Sequence, residues 1–379
     1  MELGDRGGGM KDGLGSYVGF FKRFSFSLAV AVAIFIYGVK YTYYSWDIVP
    51  YIASTYSVFD GYSGENLRVV TYGDLEKEVD PLRFKKMTTG PFGALYYRDW
   101  RALEELVKTY NSARLFYLAT IKGISKFGYS YSQASYISSS FFASLCIIIT
   151  SIILFELGIP QPFVVFVAYY SEVHHLAQFS SPDSMACFFS LLLMYFLMKN
   201  KIYSSFVVAS VLPIVRIDYV IVSVLVSFYL FYFKSKKTSL FMMISSIFVC
   251  FIVAKVFTNY QFLRHFNNTF IDMTPNIAAT VISKSASDYL IPYMKCFKEV
   301  YQSHVFAIYV FAVLALLFRI RHKIAETSDY YLVVSIGFML IHLLAHPAYE
   351  ARYYSFSVAV AAICLLRACR EASTFAPHT

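Results

Sequence analysis

Five short polar stretches of the 379-residue chain carry side chains able to move a proton or hold a phosphate, and each adjoins an apolar run. The first is Ser45-Trp46-Asp47-Ile48-Val49-Pro50-Tyr51, an aspartate between an aromatic cluster (Tyr41, Tyr43, Tyr44, Trp46) and a proline that opens the next element. Framed by Trp46 and Tyr51, Asp47 is expected to be partly desolvated, which makes a carboxylate a better proton acceptor near neutrality. It is the candidate general base; the alternative is an ordinary N-cap ahead of Pro50.

The second stretch, Arg216-Ile217-Asp218, joins the apolar runs Ile202 to Val215 and Tyr219 to Phe233. An arginine in such a hairpin can fork onto phosphate oxygens while Asp218 holds its orientation; the alternative is a pair satisfying itself in a turn. Pro182-Asp183 reads as helix-start chemistry, a proline followed by an acid in the first turn. Ahead of the last apolar run come His346-Pro347-Ala348-Tyr349-Glu350-Ala351-Arg352-Tyr353. There Arg352 is a second phosphate ligand, an anchor for Glu350, or an arginine snorkelling to an interface. Glu172-Val173-His174-His175 offers donors for zinc or manganese together with His346 or an aspartate. Neighbouring side chains on a helix point about 100 degrees apart, which works against two adjacent histidines gripping one ion.

The elements that must position these residues are apolar. With 58% hydrophobic, 19% aromatic and 15% charged residues, the chain has more apolar surface than one globular core can hide, the mark of a polytopic membrane protein. The six cysteines show no paired metal-type spacing, so neither a disulfide framework nor a zinc finger is indicated. The net charge of +9 does not point to nucleic acid, because the basic residues cluster in short loops between apolar runs.

Arg6, Lys11, Lys22 and Arg23 precede the first run, Phe24 to Tyr41, and no small-residue cleavage site follows it. A retained first helix with a cytoplasmic N-terminus is expected. Residues 43–132 form a first long outer loop, in which Trp100, Leu103, Leu106, Val107, Tyr110, Leu115, Leu118 and Ile121 recur at helical spacing. Amphipathic helices lying in the interface plane are expected there. Further runs at Ala134 to Leu157, Phe163 to Val173, Met185 to Met198, Ile202 to Val215, Tyr219 to Phe233, Leu240 to Phe257, Val305 to Phe318, Tyr331 to Leu344 and Phe356 to Leu366 bring the total to about ten spans. A second large outer loop, 258–304, mixes Arg264, His265, Lys284, Lys295 and Lys298 with Tyr260, Phe262, Phe266, Phe270, Tyr289 and Tyr293, and could grip a lipid phosphate and a sugar face. Its Asn267-Asn268-Thr269 matches a glycosylation sequon, a triplet common by chance.

Alternation from a cytoplasmic start places Lys199, Lys201, Lys234, Lys236, Lys237, Arg319, Arg321, Lys323, Arg367 and Arg370 inside. The same alternation puts all five polar stretches outside, a convergence that an active site at the membrane surface requires. The fold expected is a single all-α domain over residues 1–379, a transmembrane helical bundle.

In that order and on that shared side, the motifs resemble the GT-C class of integral-membrane glycosyltransferases, which includes the protein O-mannosyltransferases and the aminoarabinose transferase of lipid A. The likeness rests on an acid at the start of the first outer loop (Asp47), a Pro-Asp opening a middle span before a Phe/Leu-rich run (Pro182-Asp183, then Phe188, Phe189 and Leu191 to Leu193), an Arg-x-acid hairpin (Arg216-Ile217-Asp218) and a Glu-Arg-Tyr-like start to a late span (Glu350-Ala351-Arg352-Tyr353). Two departures stand out. Ala351 is inserted in the late motif with no proline after it, and no soluble domain follows Arg370, so acceptor recognition is expected from the loops.

The resemblance implies a polyprenyl-phosphate sugar donor, Asp47 as base, inversion at the anomeric carbon, and Arg216 with Arg352 neutralising the departing phosphate. Asp183, Asp218, Glu350, Tyr353, His174, His346, Trp46 and Tyr51 are the supporting or substrate-binding residues. No cofactor is implied beyond an optional divalent metal, which fits the lack of a Gly-rich phosphate loop. The partners implied are membrane lipids and a lipid, glycan or protein acceptor, with no nucleic acid, in a bacterial inner membrane with a periplasmic site or in the endoplasmic reticulum. The rival readings are a cell-envelope polysaccharide polymerase or ligase using a lipid-diphosphate donor, and a transporter or flippase for a lipid-linked sugar. The chain shows no internal repeat of the kind transporters carry.

Overall fold

The computed structural model describes residues 9–258, 261–276, 279–322 and 326–375, and among them every regular element is helical. Arg6, Tyr260 and Lys323 lie outside the described residues, as do the side chains of Lys11, Lys22, Arg23 and Tyr110. Helix α1 (Gly9–Lys40) is followed by a short extended linker and then by six consecutive helices: α2 (Ile48–Asp60), α3 (Gly64–Glu78), α4 (Pro81–Thr89), α5 (Pro91–Arg98), α6 (Trp100–Leu106) and α7 (Leu115–Ser125). Turn chemistry in the sequence sets their breaks. Gly61 ends α2 in the left-handed region at φ 71°, where a glycine avoids the Cβ penalty. Pro81 opens α4 behind Asp80, whose carboxylate accepts from the Arg83 N–H at 3.0 Å.

Residues 43–132 are therefore a packed helical layer. The expected amphipathic stripe is present, with Leu103, Leu106, Val107, Leu118 and Ile121 buried and Arg101 and Lys108 exposed. Its apolar side faces α2 and α8 (Tyr131–Glu156), so the protein's own core takes up the stripe that the sequence assigns to an interface.

Helix α8 is the central post. Ser130 and Gln133 form a capping box at its start, and Asp74 of α3 reaches over to accept from the Tyr131 and Ser132 N–H groups at 3.0 and 3.1 Å. Removing this buried carboxylate strands both N–H groups together with the Ser132 and Tyr56 hydroxyls, which also donate to it. Asp74→Ala is expected to destabilise the fold by about 2–3 kcal/mol, read as a lower unfolding midpoint in detergent. An unchanged midpoint would mean that Ser130 suffices. Further along α8, the small side chains Ser135, Ser138, Ser139 and Ser140 are buried and let neighbouring helices approach closely.

The expected run Phe163 to Val173 is broken in two. Helix α9 (Phe163–Tyr170) stops at Glu172, which adopts a left-handed φ of 56°, and α10 (Val173–Gln178) resumes from it. Then come α11 (Asp183–Met198), α12 (Ile202–Val215), a single 3-10 turn Ile217–Tyr219, α13 (Val220–Phe233) and α14 (Lys236–Phe257). The stretch 258–304 holds α15 (Phe262–Phe266) and α16 (Ala286–Gln302), after which α17 (Phe306–Arg321), α18 (Thr327–Ala345) and α19 (Ala351–Phe375) complete the bundle. Asn267, the asparagine of the sequon, is a core residue: its amide donates to the Leu263 carbonyl at 2.8 Å and to the Tyr289 hydroxyl at 3.0 Å.

Three described helices, α8, α14 and α18, are long and apolar enough to cross a membrane, and the pair α16–α17, bent by 79°, gives a fourth if it counts as one span. Other expected runs form shorter apolar helices, including Phe24–Lys40, Asp183–Met198 and Ile202–Val215. Helix α14 leaves Phe241, Ile244, Phe248 and Phe251 more than half exposed, a lateral apolar face that calls for a non-aqueous surrounding.

At the end of the bundle marked by the α8–α9 turn, two basic residues that the sequence assigns to topology are also buried and paired. Arg319 of α17 is buried and pairs with Asp329 of α18 at 3.0 Å, while Arg367 of α19 pairs with Glu326 at 2.7 Å and Glu371 at 3.1 Å. Lys199 reaches Glu156 nearby at 2.5 Å.

Candidate active site

The candidate residues gather at the opposite end. The linker after α1 is fastened to α10: the Tyr43 N–H donates to the Gln178 carbonyl at 3.0 Å, and the Gln178 amide donates to the Tyr41 carbonyl at 2.7 Å. This places Asp47 at the N-cap position of α2, where its side chain makes no cap hydrogen bond. The carboxylate instead accepts from Arg352 Nη1 at 2.6 Å, so pairing has displaced capping.

Arg352, in the first turn of α19, is the hub. Its Nε donates to Glu350 Oε2 at 2.7 Å and lies 3.9 Å from Asp183 Oδ2, and its guanidinium covers the Phe179 ring at 5.4 Å. Asp183 begins α11 with only 3% of its side chain exposed, which the ordinary helix-start reading does not account for. A buried carboxylate needs a partner, and besides Arg352 Asp183 has two: the Ser181 hydroxyl donates to it at 2.9 Å, and Arg216 Nη1 pairs with its other oxygen. The Ser181 backbone is held in turn by Ser139 of α8, which donates to its carbonyl at 3.0 Å and accepts from its N–H at 3.2 Å.

Arg216 is buried, and its remaining donors fork onto Asp218, Nε to Oδ1 at 3.1 Å and Nη2 to Oδ2 at 2.8 Å. The self-satisfied pair and the orienting aspartate of the sequence reading are thus both realised, and two carboxylates occupy the fork expected to hold phosphate. The Tyr353 ring lies between the two arginines, 4.8 Å from the Arg216 guanidinium and 5.1 Å from that of Arg352, which keeps like charges apart while stabilising both.

Behind Asp218 the sequence reading missed two residues. His342 of α18 lies 3.1 Å from Asp218 through Nε2 and 2.8 Å from the Tyr354 hydroxyl through Nδ1. An ionised carboxylate only accepts, so Nε2 carries the proton. The signal was a lone histidine inside the apolar run Tyr331 to Leu344, a functional marker in a membrane segment.

Asp47, Glu172, His175, Phe179, Glu350 and Arg352 line a cavity of about 500 Å³. His174 does not; its ring stacks on Tyr169 at 6.1 Å and lies 4.2 Å from the His175 ring. Tyr51 is buried in α2, edge-on to Tyr117 at 5.3 Å and outside the cavity lining. Trp46 packs on Tyr96 at 5.1 Å. Among the described residues no three His, Cys, Asp or Glu side chains are grouped to hold a metal ion; the His174 and His175 rings adjoin each other at 4.2 Å, while His346 sits apart against His265.

His346, just past α18, stacks on His265 at 5.8 Å. Burial pushes the His265 imidazole down to about 4, with Arg114 adding to the shift, and the His346 imidazole to about 3, with His265 and His342 adding to it. Both folded-state values lie below the unfolded one of about 6.5, so the stability they represent is complete above that pH and fades as pH falls toward 4 and 3. From pH 7 to pH 5 each histidine is expected to cost about 2 kcal/mol. Unfolding midpoints in detergent at the two pH values measure this. His346→Gln should remove about half of the drop, and equal midpoints for the parent protein would refute the assignment.

Comparison of the chain with protein-family models, with curated proteins and with solved structures finds no match to any of them.

Proposed function

We propose that this chain is an integral-membrane glycosyltransferase of the GT-C type, moving a sugar from a polyprenyl-phosphate donor to an acceptor hydroxyl with inversion. The observation that carries the reading is the Asp47–Arg352 pair on a cavity of about 500 Å³, backed by the buried Asp183–Arg216–Asp218 set. Such a transfer needs a base for the acceptor and a cation where the leaving phosphate gains charge.

Arg352 is the phosphate ligand, because two of its partners, Asp47 and Glu350, are 37% and 46% exposed and can be exchanged for a phosphate. As the donor phosphate takes the guanidinium, Asp47 is released to accept the proton of the acceptor hydroxyl. The oxygen attacks the anomeric carbon, the bond from that carbon to the phosphate oxygen breaks, and the electron pair leaves with the phosphate beside Arg352. Arg216, already neutralised, acts through Asp183 to hold Arg352 in place. About ten spans, many of them short, carry this site on the periplasmic or luminal side, with the Arg319–Arg367 end in the cytoplasm, as the basic loops favour. A bacterial inner membrane and a role in cell-envelope glycan synthesis follow from the same reading.

The test uses the purified protein with radiolabelled polyprenyl-phosphate sugars and extracted envelope acceptors. Label passing to the acceptor with release of polyprenyl phosphate is the expected result. Transfer from lipid-diphosphate donors alone would make it a polymerase or ligase. Movement of the intact lipid-linked sugar across vesicles without transfer would make it a transporter.

A further inference from the structure

A second cavity, of about 470 Å³, adjoins the site, and none of Asp47, Arg216 and Arg352 lines it. Tyr43 and Ser45 line it and the Asp47 cavity alike, so one short stretch of chain separates the two. Its own walls are Tyr44, Trp46 and Phe92 with the cations Arg83 and Lys86. We propose that this cavity is the acceptor subsite and that it takes a sugar bearing an anionic group, a phosphate or a carboxylate.

Three observations support this chemistry. The aromatic walls are fixed in place: the Trp46 indole packs on Tyr96, and the Tyr44 ring stands edge-on to Tyr136 at 6.2 Å. Rigid aromatic faces suit the apolar C–H face of a sugar ring. Arg83 and Lys86 lie three residues apart on one face of α4, and Arg83 is aimed by its pairing with Asp80 at 3.3 Å and by donating to the Thr42 carbonyl at 3.2 Å. About half of its side chain is exposed, which leaves room for an anion. Lastly, the Trp46 indole N–H and the Ser45 hydroxyl are buried with no hydrogen-bond partner among the described residues. Buried donors are nearly always paired, and a small shift of this linker as a ligand rich in hydroxyls seats against it would supply the missing partners.

The subsite rests on the transfer reading, since an acceptor is meaningful only for a transferase. Along the linker its lining ends at Trp46, one residue from the proposed base, so an acceptor hydroxyl reaches Asp47 across the shared Tyr43–Ser45 edge. Arg83 and Lys86 select its charge, and the aromatic walls select the ring.

Binding can be read without catalysis. The chain has two tryptophans, Trp46 and Trp100, so Trp100→Phe leaves Trp46 as the sole indole reporter. In that background, titration in detergent with glucose 6-phosphate, glucuronate, glucose and glycerol 3-phosphate is followed by tryptophan fluorescence. The two anionic sugars are expected to saturate the signal, with glucose and glycerol 3-phosphate each weaker by about tenfold or more. Arg83→Gln/Lys86→Gln should erase the advantage of the anionic sugars, and Lys86→Gln alone, which spares the Arg83–Asp80 contact, should erase part of it. Equal affinity for glucose, or an unchanged preference in both variants, overturns the proposal. Equal affinity for glycerol 3-phosphate overturns it too, in favour of a site for a phosphate headgroup. Asp47→Asn is expected to bind these sugars as the parent does, so a loss of transfer and a loss of acceptor binding are told apart.

Discussion

Asp47→Asn is expected to slow transfer by on the order of a hundredfold or more while leaving the unfolding midpoint nearly unchanged. The amide keeps the shape of the carboxylate but cannot take a proton. Stability should hold because Arg352 retains Glu350 at 2.7 Å and Asp183 at 3.9 Å, and because Asp47 is more than a third exposed, where an ion pair contributes little. Donor affinity should move the other way: without a charged competitor for Arg352, the polyprenyl-phosphate sugar should bind more tightly. A slower rate at saturating donor combined with tighter binding is the signature of a base that also guards the phosphate ligand. Equal rates in the two proteins would leave Asp47 a pairing residue and move the search for the base to Glu350.

Asp183→Ala is expected to destabilise the protein by about 3–5 kcal/mol, the range for stranding one member of a buried ion pair. Arg216, with 8% of its side chain exposed, would keep Asp218 alone, and Arg352 would lose its neighbour on α11. Against a typical total of about 5–15 kcal/mol, that is a large fraction of the stability. Asp183→Asn separates the causes. It keeps the side-chain volume and can still accept from the Ser181 hydroxyl, so a variant nearly as unstable as Ala assigns the effect to charge. A midpoint near the parent's would assign it to packing and hydrogen bonding. Chemical denaturation in detergent, followed by circular dichroism, measures both.

Asp47, Asp183, Arg216, Asp218, Glu350, Arg352 and Tyr353 were legible as polar residues bordering apolar runs, and the structure gathers them into one cluster. How those side chains pair was not legible. The sequence shows that Arg216 has an acid two residues on, but not that Asp183, 33 residues earlier, takes its remaining donor. That assignment depends on how closely α11 and α12 approach. That His175 rather than His174 lines the cavity was not legible for a related reason: which of two adjacent residues faces it is set by the phase of α10, which starts from left-handed Glu172. The same residue splits a run that reads as one helix. Arg319 and Arg367 matched a topology pattern so well that their carboxylate partners on neighbouring helices could not be anticipated. His342 was visible as an isolated imidazole in an apolar run, and its role becomes clear only when α18 and the Arg216–Asp218 hairpin are brought together.

The two ends of the bundle are unequal in stiffness. At the end marked by the α8–α9 turn, α17, α18 and α19 cannot part without baring Arg319, Asp329 and Arg367, each almost fully buried. At the other, Arg352 is shared with Asp47 and Glu350, both open enough to solvent to be exchanged. Separation at the first end costs several kcal/mol for each stranded charge, and the same holds for the buried Asp183–Arg216–Asp218 set at the second, whereas the Arg352 pairs with Asp47 and Glu350 cost little to break. On the proposed reading, a motion that admits a lipid-linked donor therefore opens where Arg352 meets Asp47 and Glu350, and the buried charges at both ends act as its pivots.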